Sequence, residues 1–268
     1  MTIVPKLWPG STVVCIATGA SLTQADVDAC RDRGFRAIAI NNAYTVAPWA
    51  DALYAGDQKW WQWHQGCPTF TGRKYTLEPQ KIRWPGLEVL RRDGSHDPGL
   101  CLTPDGLRTG YNSGYQAINL SVHFGASRIV LLGYDMHGGH FFGKHPDDTA
   151  PPFHLCIPHF ATLVEPLAAL GVSVVNCTPG SAIPYFPRAP LASVLAEVAA
   201  GPASLAWIIS SAPADRSSPR ACIMRPTRSG WSIPMRTGRC SRRRSPRFDR
   251  ISCWSCMGAS LPSTGCGR

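Results

Sequence analysis

The sequence predicts an α/β protein with a Rossmann-like, mostly parallel sheet, helices on both faces, and a single domain over residues 1–200. Three observations carry this prediction. Short, continuous apolar runs recur (TVVCIAT, FRAIAINN, RIVLLGYD, VSVVN), as strands buried on both faces require. Helical segments with start and stop signals separate several of them. Each apolar run then closes in small or polar residues, at the edge where open parallel sheets bind ligands.

The first strand is read at 12–17, followed by a helix over 22–33 (LTQADVDACRDR) with Ser21 as its cap, Asp26 and Asp28 in its early half, and Gly34 as its stop. FRAIAINN supplies the second strand and ALYAGD (52–57) the third, while the aromatic-rich KWWQWHQ (59–65) opens a helix. Residues 67–110, rich in Gly and Pro, carry no assignable period. In NSGYQAINLSVHFG (112–125), Tyr115, Ile118 and Val122 recur at helical spacing and Gly125 ends the helix. RIVLLGYD (128–135) is the next strand, and a Gly- and His-rich loop spans 136–152. A helix over 153–170 must kink or start late because of Pro158 and Pro166, leaving 159–170 as its continuous part. VSVVN (172–176) is a fifth strand and LASVLAEVAA (191–200) a last helix.

Charge divides the chain unevenly. The net +10 resides in residues 201–268, which hold 12 Arg and two Asp, whereas residues 1–200 hold 15 basic and 15 acidic residues. The tail contains 13 Ser, 7 Pro, 5 Cys and 3 Trp, lacks Lys, Glu, Asn, Gln, His, Val and Tyr, and keeps no period beyond LAWII. It reads as the product of a slipped frame near residue 200. The alternatives are a disordered native tail or an arginine-rich nucleic-acid arm centred on SRRRSPR. The other six cysteines form no CxxC pair, which fits reduced thiols in a cytoplasmic protein better than a metal cluster or disulfide framework. MTIVPKLWPG does not read as a signal peptide, and no run approaches the ~18 apolar residues of a membrane helix.

Several motifs suggest chemistry. In ATGASL (17–22), Gly19, Ala20 and Ser21 sit between a strand and a helix N-terminus, where orphan N–H groups favour phosphate; a tight structural turn is the alternative. Gly19 would allow a conformation that a Cβ disfavours, and Ala20 keeps the approach open. One Gly and no following Lys exclude the dinucleotide fingerprint and the Walker loop. Asn41 and Asn42 end the second strand and suit a base or sugar edge; Asp57 ends the third. Before the next helix, Arg108 suits a phosphate, with Asn112, Ser113 and Gly114 at the helix start. The loop GYDMHGGHFFGKHP holds Asp135, His137, His140 and His145 at no standard metal spacing, so one His acting as general base fits better than a metal site, and incidental loop histidines are the plain alternative. His154 and His159 fit packing roles or the cleft; His64 and His123 read as structural.

Together these stretches resemble the bacterial sialyltransferases that decorate lipooligosaccharide, with the related motility-associated glycosyltransferases and hydroxymethylpterin diphosphokinase-like proteins. ATGASL resembles their G-x-G-P-S-L loop, and INNAY their Asn-containing turn. NSGYQAINLSVHFGASRIVLLGYDM is similar to their T-S-G…I-x-L-x-G-x-D segment, and VSVVNCTPGSAIPYF to their closing strand. With APWADALYAGDQKWW, the set is also similar to phage-encoded proteins of this superfamily, over roughly 10–195. The resemblance implies that Gly19, Ala20 and Ser21 lie near the nucleotide phosphate and Asn41 or Asn42 near the base or sugar. It implies a phosphate contact for Arg108, a match of Ser113 and Gly114 to the family's Ser-Gly pair, and His145 or His154 as base. Thr18 stands where the family has Asn and Ala20 where it has Pro, and the family's phosphate-holding Tyr pair is not evident near Phe141 and Phe142.

The expected function is a glycosyltransferase that takes a nucleotide-sugar donor and an acceptor, with no bound metal or other cofactor. The alternatives are an ATP-dependent diphosphokinase-like transferase using Mg²⁺ at Asp57 and Asp135, or a non-catalytic phage nucleotide binder acting in the host cytoplasm. A nucleic-acid partner rests on the tail alone.

Overall fold

Full burial of Val13, Val14, Cys15 and Ile16 makes TVVCI the centre of the fold, as strand β1 (Thr12–Ile16). The computed structural model describes residues 2–81, 83–94, 98–147 and 152–198; the Arg-rich stretch 201–268 lies outside them. Around β1 the chain forms α1 (Gln24–Asp32), β2 (Arg36–Ile40), β3 (Ala52–Tyr54) and α2 (Gln58–Trp63). Then come β4 (Arg73–Leu77), β5 (Leu87–Arg92), β6 (Gly106–Leu107), α3 (Ser113–Phe124) and β7 (Arg128–Leu132). Next are α4 (Phe153–Cys156), α5 (Ala161–Ala169), β8 (Ser173–Asn176) and α6, residues 191–198.

The eight strands form one sheet in the order β6-β5-β4-β3-β2-β1-β7-β8. Every neighbouring pair is parallel, from Cys15 opposite Ile38 and Leu131 around β1 to Val130 opposite Val175 at β8. Successive β1 residues feed opposite cores. Val13 and Cys15 pack with Tyr115 and Ile118 of α3 and with Leu163 and Leu167 of α5. Val14 and Ile16 pack with Val27 of α1, Trp61 of α2, and Leu191 and Val194 of α6. Helices therefore cover both faces, as an all-parallel sheet demands.

Three details depart from the sequence reading. β4, β5 and β6 lie within the unassigned stretch 67–110. β4 escapes recognition because Lys74 and Thr76 are buried on one of its faces, Lys74 Nζ donating to the Gly66 carbonyl at 3.0 Å. Secondly, α1 starts two residues late: Thr23, not Ser21, caps it, accepting from the Asp26 N–H. Thirdly, residues 153–170 divide into α4, a 3₁₀ turn (Ile157–Phe160) and α5, which keeps Pro166 inside it.

The α3 helix anchors the irregular segment between β5 and β6. Its fully buried Asn119 accepts from the Cys101 N–H at 2.8 Å and donates to the Cys101 carbonyl at 2.9 Å, pairing backbone groups that no strand satisfies. Gly125, at φ +96°, ends α3 in the left-handed conformation that glycine tolerates. Among the described residues no helix is long and apolar enough to cross a membrane. All six described cysteines are free and buried; burial pushes Cys15 and Cys156 up to about 11, which leaves them protonated and poor nucleophiles.

Candidate functional site

The chain runs outward from β1 through β2 to β6, then returns along α3 to place β7 on the other side of β1. That reversal puts a topological switch point between β1 and β7, and open parallel sheets bind ligands just beyond the strand ends at such a point. ATGASL follows β1 there, and GYDM follows β7.

The two stretches are locked together. The Gly19 N–H donates to the Gly133 carbonyl at 2.8 Å. Asp135, buried to 4% exposure, accepts from the Ser21 N–H at 3.0 Å and from the Ser21 hydroxyl at 2.8 Å. A Cβ on Gly19 would fall 1.8 Å from Asp135 Oδ2 and 2.6 Å from the Gly133 carbonyl oxygen. Close approach, rather than a left-handed backbone, is therefore what demands glycine at this position. The turn's backbone donors at Gly19 and Ser21, expected from sequence to face a phosphate, are engaged within the protein. Ala20 is exposed at the tip.

The loop after β7 folds back over this turn. The Phe141 N–H donates to the Thr18 carbonyl at 3.0 Å, and Gly19 and His140 form an antiparallel bridge. Thr18 Oγ1 lies 3.0 Å from His140 Nδ1, while His140 Nε2 is buried without a hydrogen-bond partner among the described residues. The His140 ring stacks on Phe142 (centroids 4.9 Å apart) and meets His145 edge-on at 5.0 Å. His145 stacks in turn on Trp63 at 5.9 Å, and Lys59 pairs with Asp147 at 3.8 Å, so α2 holds the far end of the loop. His64 completes the cluster, with Tyr44 Oη 3.0 Å from its Nδ1 and its ring stacked on Trp60.

The other expected residues fall on the same edge in different roles. Asn41 adopts φ +50° immediately after β2, and Asn42 Oδ1 accepts from Trp60 Nε1 at 2.7 Å. Asp57 caps α2 by accepting from the Lys59 N–H at 2.9 Å. Ser113 Oγ accepts from the Gly56 N–H at 3.2 Å, joining the start of α3 to the end of β3. Gly114 lies against Tyr134, whose hydroxyl donates to the Gly114 carbonyl at 3.0 Å. Asn112 caps α3 through the Tyr115 N–H. Gly19, Ser21, Ser113, Gly114 and His145 thus cluster around the ends of β1, β3 and β7.

Two expected catalytic groups have other surroundings. Arg108, just beyond β6, pairs with Asp93 Oδ2 at 2.7 Å, beside an Arg91 that bridges Asp93 and Asp105. His154 is exposed on α4. Conversely, the geometry brings forward Thr18, Asp135 and His140. A signal for His140 lay in the sequence: it follows a Gly pair that lets the loop double back.

Burial lowers the His140 imidazole below its usual value, and the nearby His145 lowers it further. His64 is lowered in the same order, and burial also depresses His123 and His159. An imidazole with a depressed pKa is a neutral ring, hence a proton acceptor, at neutral pH. The unfolded chain takes up protons near the ordinary histidine value, while the folded chain does so only at lower pH. Stability contributed by these groups is therefore complete above about pH 6.5 and is lost as the pH falls from there towards the folded-state values. Thermal melts at about pH 7.5 and 5.5 should give the lower Tm at the acidic value; the opposite order would contradict this linkage.

Among the described residues, no three His, Cys, Asp or Glu side chains converge as metal ligands. No protein-family model matches the chain, and no curated protein matches it.

Proposed function

We propose that this chain is a glycosyltransferase-like protein of the superfamily that its motifs resemble. It binds a nucleotide sugar beyond the ends of β1, β3 and β7 and transfers the sugar without a bound metal. The observation that carries the reading is His140: a ring held neutral at the switch point, with Nδ1 against Thr18 and Nε2 unpartnered among the described residues. Donation from Nδ1–H to Thr18 leaves the Nε2 lone pair to take the proton of an acceptor hydroxyl. The 137–147 loop lifts to admit the reactants and settles to exclude water.

The leaving phosphate sits at the start of α3. There Asn112, Ser113 and Gly114 present a helix N-terminus, and its macrodipole stabilises the charge as it develops. This site replaces the Gly19 turn as the main anion contact, because Asp135 already holds that turn with a carboxylate. The donor set also favours this reading over Mg²⁺-dependent pyrophosphate transfer. Asp57 is engaged as a helix cap and both Asp135 oxygens accept from Ser21.

The test is a thermal-shift titration of the full chain against nucleoside mono- and diphosphates and their sugar conjugates. A sugar nucleotide should raise Tm progressively with concentration by mass action. No concentration-dependent rise across such a panel would reject the proposal.

A further inference from the structure

A concavity lies on the same sheet edge, away from the turn that the 137–147 loop covers. Where the chain leaves β4, a cavity of about 450 Å³ is lined by Glu78, Pro79, Gln80, Arg83, Val89 and Arg92. Its size falls within the range of small-molecule sites. β4 is the third strand from β1, so by strand spacing the cavity begins about 14 Å along the sheet from the Gly19 turn.

Its polar groups are oriented and incompletely used. Gln80 Nε2 donates to the Leu77 carbonyl at 2.8 Å and to Thr76 Oγ1 at 3.0 Å. A carbonyl only accepts, so the amide NH₂ must face Leu77 and the amide oxygen must face the other way. That oxygen, Gln80 Oε1, is buried and accepts no hydrogen bond among the described residues. A buried acceptor left unpaired is unfavourable, and a ligand hydroxyl or N–H relieves it. Arg92 Nε donates to the Glu78 carbonyl at 3.1 Å, which orients the guanidinium. Its terminal nitrogens, and the whole Arg83 guanidinium, have no hydrogen-bond or ion-pair partner among the described residues. Two guanidiniums against one carboxylate, Glu78, leave the cavity net positive.

We infer that this cavity is a binding site for an anionic, hydroxyl-bearing small molecule, a sugar acid or a sugar phosphate. Arg83 and Arg92 hold its anionic oxygens, and Gln80 Oε1 accepts from a hydroxyl. Planar guanidiniums match carboxylate and phosphate oxygens geometrically, which an ammonium does not. The assignment does not depend on transferase activity, since the lining residues lie apart from the turn that the 137–147 loop covers.

Isothermal titration of the full chain with glucuronate, glucose 6-phosphate, inorganic phosphate and glucose tests it. Saturable binding of glucuronate or glucose 6-phosphate supports the site, and the tighter of the two identifies the anion. Arg83→Gln should weaken that binding roughly tenfold, as loss of a hydrogen bond to a charged group does. Arg92→Gln should do the same, and Gln80→Leu should weaken it less. Arg83 is exposed and has no hydrogen-bond or ion-pair partner among the described residues, so its variant remains informative even if Arg92→Gln perturbs folding. The inference is overturned by no saturable binding of either charged sugar up to about 10 mM, or by binding unchanged in Arg83→Gln. Equal affinity for glucose, or for inorganic phosphate and glucose 6-phosphate, would also overturn it.

Discussion

Gly19→Ala is expected to destabilise the protein by about 3–5 kcal/mol, as measured by urea unfolding, the combined magnitude of overpacking a close-packed site and losing hydrogen bonds to a charged group. The new methyl would stand 1.8 Å from Asp135 Oδ2, 2.4 Å from its Cγ and 2.6 Å from the Gly133 carbonyl oxygen. The carbonyl belongs to the backbone and cannot rotate away. The carboxylate can move only by abandoning both hydrogen bonds with Ser21, which strands a buried anion beside two unsatisfied donors. The same shift would disconnect the ends of β1 and β7, so any ligand-induced rise in Tm should disappear as well. A Gly19→Ala protein within about 1 kcal/mol of the parent would show that Asp135 has room the structure does not display.

His140→Asn should lower sugar transfer, or hydrolysis of the bound donor, by about 10²–10⁴-fold, the usual contribution of a positioned general base. Asparagine retains a polar group near the position of Nδ1, so contact with Thr18 survives while the Nε2 lone pair is removed. Nucleotide affinity should therefore change little, separating chemistry from binding. His145→Ala removes the rings' mutual contact and the stacking on Trp63, and its effect should be smaller and felt in loop closure. Activity of the parent should fall on acidification only below the usual histidine range, because burial depresses the His140 pKa. Full turnover in His140→Asn would end its assignment as base and transfer the role to His145.

The central sheet was legible because β1, β2, β7 and β8 are short apolar runs buried on both faces, a pattern that few other structures produce. The helix ends around α3 were legible as well, since Asn112 and Gly125 sit in cap positions with strong residue preferences. β4 to β6 were not. A strand carrying Lys74 and Thr76 on a buried face, and a strand of two residues at Gly106–Leu107, give no period to detect. The site shows the same division. A strand-edge location follows from the pattern of apolar runs closing in polar residues. Whether Ser21 caps a helix or clasps Asp135, 114 positions away, depends on which strands become neighbours, and a single sequence does not display that. Likewise Gly19 was recognisable as special, but the reason, an incoming carboxylate, comes from β7.

The late arrival of β7 at the side of β1 has a consequence for biosynthesis. β2 is complete at Ile40, yet the opposite neighbour begins only at Arg128. Ribosomes adding about 5–20 residues per second need roughly 4–17 s to make the intervening 41–127. Throughout that interval β1, whose Val13–Ile16 are fully buried in the folded chain, offers one flank of open amide and carbonyl groups, a ready template for a neighbouring polypeptide. Yield of native protein should thus depend on how densely ribosomes crowd the message, and slower initiation, rather than slower elongation, is the remedy the topology recommends.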